Sequence, residues 1–173
     1  MDTLIEIRTA TPSDTGIISR IVDRSIRLGC AADHCNDPSV VAAWTRHYTV
    51  AHIRPWLDDP GLRLTLARLR GRPVGTALVS TTGRILFCYV QPEWFRRGTG
   101  QALMRDVEAW LRERRVVLAR LDSTGTSRAF YRHLGFVQGP EASVINGVAA
   151  FAMHKPLIEP VGKVLTESKF VHR

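Results

Sequence analysis

Apolar and polar residues alternate in Leu4-Ile5-Glu6-Ile7-Arg8, a pattern that predicts an opening strand. Thr11-Pro12-Ser13-Asp14 has the marks of a helix start: a hydroxyl to cap it, proline at the first helical position and an acid in the first turn. Ile17, Ile18, Ile21, Val22, Ile26 and Leu28 follow at helical spacing, mainly on one face, and Gly29 ends the run. A polar loop is expected from Asp33 to Pro38, then two short helices at 40–48 and 51–57, closed by Asp58-Asp59-Pro60-Gly61. Three strand-like runs come next, at 62–69, 74–80 and 85–90, separated by short turns, which implies an antiparallel meander. A long amphipathic helix is predicted over about 100–115, burying Leu103, Val107, Trp110 and Leu111. Val116 to Leu121 reads as another strand, so strand, helix and strand suggest a parallel pair joined by a crossover. A short helix at 127–134 stops at Gly135, and strands at 136–144 and 148–154 turn at Asn146-Gly147.

The chain of 173 residues is expected to be one domain over 1–157, with a weakly patterned tail over 158–173. There is no membrane-length apolar run and no basic-then-apolar leader at Met1 to Glu6, so the expected compartment is the cytoplasm and no membrane partner is expected. Cys30, Cys35 and Cys88 are an odd, sparse set and are expected to be free thiols. Even with His34 beside Cys35 they offer too few ligands at no recognised spacing, so no metal is expected. The formal charge of +8 comes mostly from arginine. Those arginines are scattered rather than clustered in a run, which suits an anionic small ligand better than nucleic acid.

Candidate chemistry concentrates where the strand ending at Val90 meets the long helix. Val90-Gln91-Pro92-Glu93-Trp94-Phe95-Arg96-Arg97-Gly98-Thr99-Gly100 is a strand end, a glycine-containing turn and a helix N-terminus in succession. Such a turn exposes unpaired N–H groups at the positive end of a helix dipole, and its glycines admit a ligand close to the backbone. Phosphate binds well there. By spacing alone the turn fits either a phosphate cradle or a bare strand-to-helix connection. It is not a P-loop, since no Gly-Lys-Ser/Thr follows, and the third glycine of a dinucleotide fingerprint is missing.

A second motif decides the matter. Val90-x-Pro92 followed by Phe95-Arg96-Arg97-Gly98-Thr99-Gly100 resembles the central motif of the GNAT family of N-acetyltransferases. Ser127-Arg128-Ala129-Phe130-Tyr131-Arg132-His133-Leu134-Gly135-Phe136 resembles its C-terminal motif, with Thr124 where many members have asparagine and Asp122-Ser123-Thr124 similar to a subgroup. Ile7-Arg8-x-Ala10-x-x-x-Asp14 looks like the family's opening, and the resemblance spans about 4–157. One departure stands out: Phe95 replaces the usual Gln or Arg. The implied fold is α/β (α+β), a mixed, mostly antiparallel twisted sheet of six to seven strands with about four to five helices and a splayed central parallel strand pair.

The resemblance implies acetyl-CoA as cosubstrate and direct attack by an amine. It assigns the amides from about Arg96 to Gly100 to the pyrophosphate. Cys88, Tyr89 and Val90 become main-chain contacts to the pantetheine and the acetyl carbonyl, with Phe95, Arg97, Thr99, Thr124 and Ser127 nearby. Tyr131 is the implied general acid; its other reading is packing beside Phe130 and Phe136. Asp122 is either a base or a cap for the helix after it. Asp33, His34, Asp37, His47 and His52 lie in the region that walls the acceptor pocket, and none stands out as a base. Arg132 is a weaker phosphate ligand than Arg97. Trp44, Tyr48 and Trp56 read as core, and Cys88 as a small buried strand residue, not a nucleophile. The expected acceptor is a small primary amine. A protein or peptide acetyltransferase, or a non-catalytic coenzyme A-binding module, are the alternatives. Dimers are common in the family, with the tail after Pro156 as a candidate interface.

Overall fold

The computed structural model describes residues 4–158. The tail expected over 158–173 therefore lies almost wholly outside the described residues. Strands β1 (Ile5–Thr9), β2 (Leu62–Leu69), β3 (Arg72–Ser80) and β4 (Ile85–Val90) form one antiparallel sheet in the order β1-β2-β3-β4. Strands β5 (Leu118–Ser123), β6 (Val137–Ile145) and β7 (Val148–Pro156) form a second in the order β5-β7-β6. The helices are α1 (Thr15–Arg24), α2 (Ala31–His34), α3 (Pro38–Thr45), α4 (Val50–Asp58), α5 (Thr99–Glu113) and α6 (Arg128–His133), α2 being a single turn inside the expected polar loop.

The expected parallel pair is β4 and β5, joined through α5. Among the described residues they are joined by a single parallel bridge, from Arg84, just before β4, to Arg120 of β5. The expected single sheet is thus two sheets hinged at that bridge and open beyond it. A bulge accompanies the opening. Leu78 pairs with Phe87 while Val79 pairs with Ile85, which leaves Leu86 without an opposite residue.

Each face of the first sheet carries its own core. Leu103, Met104, Val107 and Leu111 of α5 pack on one face with Tyr131, Phe136 and the inner side chains of β5 and β7. Ile18, Ile21, Val22 and Ile26 pack on the other with Trp44, Ile53, Leu64, Leu66 and Phe87. Covered on both faces, β2 and β3 are buried along nearly continuous stretches rather than at alternate residues.

The chain enters α1 through a short helical turn, Pro12–Asp14, with Thr11 at its N-cap, proline at its first position and Asp14 in its first turn, as expected. The Asp14 carboxylate accepts the Thr11 N–H at 2.7 Å and the Thr11 hydroxyl at 2.9 Å, and the Asp14 N–H donates to the Thr11 carbonyl at 2.9 Å. The Arg8 guanidinium completes the cluster at 2.7 and 2.8 Å and holds the Asp14 carboxyl below the ordinary carboxylate range. At its other end α1 widens into a π-helical turn, Ser25–Gly29, before Gly29 stops it as expected. Such an insertion is common beside functional sites.

Candidate active site

A cleft of about 700 Å³ opens between β4 and β5. Its floor is β4 from Leu86 to Val90; its walls are the π-helical turn with Cys30 on one side and the Asp122–Ser127 segment with α6 on the other. The loop at the end of β4 forms its mouth.

That loop is tied down at its base. Buried Gln91 gives its N–H to the Val74 carbonyl at 2.9 Å, and its amide donates to the Pro73 carbonyl at 3.1 Å. Arg24 reaches the Gln91 carboxamide oxygen at 3.1 Å and Glu93 at 3.0 Å. Beyond a short turn at Pro92–Trp94, Arg96 and Gly98 take left-handed φ values of 58° and 83°. At Gly98 the cost of that φ to any L side chain is what favours glycine. At Gly100 the reason is space: a Cβ there would lie 3.1 Å from the Phe130 ring.

The consequence is a run of unused donors. No N–H from Arg96 to Gln101 donates to a protein group among the described residues, and α5 has no side-chain cap. Thr99, 1% exposed, carries a buried hydroxyl that also has no partner. A buried, unmade hydrogen bond in a native structure calls for an explanation, and an anionic ligand at this helix end supplies one.

Strand geometry decides which β4 groups face the cleft. Since Gln91 bonds to β3, strand alternation turns the main chain of Tyr89 toward β3 as well. The groups of Cys88 and Val90 then face the gap. The Val90 carbonyl is engaged there by the Ser25 hydroxyl at 2.9 Å, which anchors the π-helical turn to the strand. Tyr89, expected as a main-chain contact, contributes its side chain: its hydroxyl accepts from Trp44 at 3.1 Å, and its ring lies with Tyr48 and Phe87. Trp44, Tyr48 and Trp56 belong to the core on this face, as expected.

Tyr131 lines the same cleft at 7% exposure, its ring edge-on to Phe130 and Phe136. Burial pushes the phenol well above its ordinary value, and the nearby Cys88 and Cys30 add to the shift. Burial also pushes the thiols of Cys30 and Cys88 up to about 12, so both are protonated near neutral pH and poor nucleophiles.

Other expected positions fall as follows. Thr124 and Ser127 line the cleft, linked by a 3.1 Å hydroxyl contact. Phe95 lines it too, 48% exposed, and packs so near Gly29 that a Cβ there would come within 3.0 Å of the ring. Arg96 lines it, but the Arg97 side chain does not; its guanidinium lies 5.1 Å from the Trp94 ring centre, on an adjoining cavity. Arg132 bonds to Gln138 instead. Asp122 lines the cleft and is ion-paired with Arg84, and the α6 N-terminus has no side-chain cap, so Asp122 does not serve as one.

Of the acceptor-side candidates, His34 is buried and structural: Nε2–H donates to the Ile26 carbonyl at 2.9 Å, and Nδ1 accepts from Asn36 at 3.0 Å. Asp37 caps α3. His47 and His52 lie outside the cleft. Asp33 bridges to the opposite wall, accepting the Thr126 N–H at 3.1 Å and the Thr126 hydroxyl at 2.5 Å. Ser25, Leu86 and Thr126 were not singled out by sequence, and Gly29 only as a helix end; the π turn and the bulge leave no periodic signature. All three cysteines are free, and no group of three or more candidate ligands suited to a metal occurs among the described residues.

The model of the acetyltransferase (GNAT) family matches residues 31–136. A GCN5-related N-acetyltransferase from Rhodopseudomonas palustris superposes with a TM-score of 0.79 at 25% identity, covering 90% of this chain and 98% of that one. PaiA N-acetyltransferase from Thermoplasma acidophilum, solved in complex with coenzyme A, gives a TM-score of 0.71 at 17% identity over 88% of this chain and 99% of that one. YncA from Salmonella typhimurium, solved with its cofactor acetyl-CoA, gives 0.68 at 16% identity over 91% and 96%. The latter two share the fold. No curated protein matches the chain.

Proposed function

The chain belongs to the GNAT acetyltransferase family, and from that premise we propose that it transfers acetyl from acetyl-CoA to the primary amine of a small molecule, by direct attack in a ternary complex. The observation that carries the reading is the unbroken run of unused amides from Arg96 to Gln101 at the mouth of a cleft that Tyr131 lines.

In this reading the amides and the Thr99 hydroxyl hold the pyrophosphate. The pantetheine lies along the open edge of β4. Its thioester carbonyl is polarised by a main-chain N–H of the Cys88–Val90 segment, which acts as an oxyanion hole. The amine attacks, the carbon–sulfur bond breaks, and Tyr131 gives its proton to the departing thiolate. A phenol held above its ordinary pKa keeps that proton until the sulfur needs it. Asp122 is the one carboxylate among the described residues that line the cleft and is the proton acceptor for the attacking amine, oriented by Arg84. The two protonated thiols argue against an acyl-cysteine intermediate.

A small acceptor is favoured by the bridge between Asp33 and Thr126. It joins the α2 side of the cleft to the β5–α6 loop and so narrows the approach to the acetyl end. A narrowed approach supports a small amine over a folded protein. The test is thiol release from acetyl-CoA across amino acids, polyamines, aromatic amines and peptides bearing free N-termini. A small amine is expected to raise release well above the hydrolysis background. Stimulation by peptides alone would reject the small-molecule acceptor.

A further inference from the structure

We propose that the acceptor is a monoamine on an apolar aromatic body, an arylalkylamine, and that Leu86, Phe87 and Tyr89 form the wall that selects it. This inference rests on the acetyl-transfer reading and names the substrate class that the cleft fits.

The wall begins where the sheets part. Two residues beyond the bridge on each strand stand Leu86 of β4 and Asp122 of β5, and both line the cleft. Leu86 is the bulged residue and is 46% exposed, an apolar side chain standing open in the gap. Phe87 and Tyr89 continue the wall, their ring centres 5.5 Å apart and their planes tilted by 30°. Tyr48 meets both rings edge-on, at 5.6 and 6.0 Å, and Trp56 lies 5.9 Å from Phe87. The rings that line the cleft are thus held in place by rings that do not line it. A preformed aromatic face gains contact with an aromatic guest and loses little freedom on binding.

Charge narrows the class further. Asp122 is the one carboxylate among the described residues that line the cleft, and it is ion-paired with Arg84. Asp33 does not line the cleft, and Thr126 engages both of its oxygens. Glu93 is committed to Arg24. The second ammonium of a polyamine therefore meets no free carboxylate among the described lining residues. The basic side chains that line the cleft, Arg96 and His133, stand on the coenzyme loop and on α6, and α6 sets Phe130 against Gly100 at the start of α5. Both belong to the coenzyme's side, so the carboxylate of an amino acid gains no partner from Leu86, Phe87 and Tyr89. A charge buried without a partner is costly. A single amine at Asp122 with an uncharged ring against the wall avoids that cost.

Initial rates of thiol release from acetyl-CoA by the intact protein test this, with 2-phenylethylamine, ethylamine, 1,4-diaminobutane and phenylalanine as acceptors. The kcat/KM for 2-phenylethylamine is expected to exceed that for each of the others about tenfold or more. In Leu86→Ala its advantage over ethylamine shrinks severalfold. In Leu86→Asp, which supplies a second carboxylate, 1,4-diaminobutane gains on 2-phenylethylamine. Melting temperatures establish that each variant is folded, and Leu86→Val repeats the comparison if Leu86→Ala is not. An equal or higher kcat/KM for ethylamine, the diamine or the amino acid overturns the aromatic monoamine and leaves the transfer reaction standing. An aromatic advantage that the Leu86 variants leave intact overturns the wall. Release above the hydrolysis background by none of these acceptors overturns the small-amine reading as well.

Discussion

Two residues carry the chemistry on which the proposed reaction turns, and they were legible to different degrees. Tyr131 was visible because its signal is local: Phe130-Tyr131 and Gly135-Phe136 sit in one helix and its stop, and the helix places them without help from distant chain. Asp122 was visible as a residue but not as a partner of Arg84, which lies across the hinge between the two sheets. Arg97 shows the same limit: its position in the loop was readable, while its direction depends on Trp94. Tyr131→Phe tests the acid role. Loss of a general acid is expected to lower kcat about 100-fold or more. Coenzyme affinity is expected to hold, because the ring still fills the pocket between Phe130 and Phe136. An unchanged kcat would leave Tyr131 a packing residue.

At the scale of elements, most of what positions the site follows from pattern. The β2–β3–β4 meander, α5 and the β6–β7 hairpin stand close to where alternation and helical spacing put them. What the pattern missed are the irregularities: the π turn at Ser25–Gly29, the bulge at Leu86 and the single turn α2. Each inserts or re-aims a residue without changing the apolar period around it. Each also borders the cleft or braces its wall, so the least legible geometry gathers at the site. The α5 N-terminus offers a test at this scale. Thr99→Val keeps the shape and removes the unpartnered hydroxyl. Leaving such a group buried costs about 1–3 kcal/mol, so without ligand the variant is expected to melt no lower than the parent. Coenzyme A affinity is expected to fall about tenfold, as for loss of one charge-assisted hydrogen bond. A lower melting point with unchanged affinity would make Thr99 a structural residue only.

The described residues form two sheets that share a single bridge, with the cleft where they part. Composition suggested an anionic small ligand before any site was placed, and the net charge of +8 is spread along the chain. The acceptor was not legible, because the segments expected to wall it, from Gly29 to Asp59 and the last hairpin, take their shape from contacts between distant elements such as the bond from Thr126 to Asp33. The donor is another matter, since everything proposed for the site depends on acetyl-CoA occupying the gap between β4 and β5. Titration of acetyl-CoA into the purified chain in a calorimeter measures that directly. A saturable isotherm with one molecule bound per chain is the expected result; no binding heat at any temperature tried would contradict it.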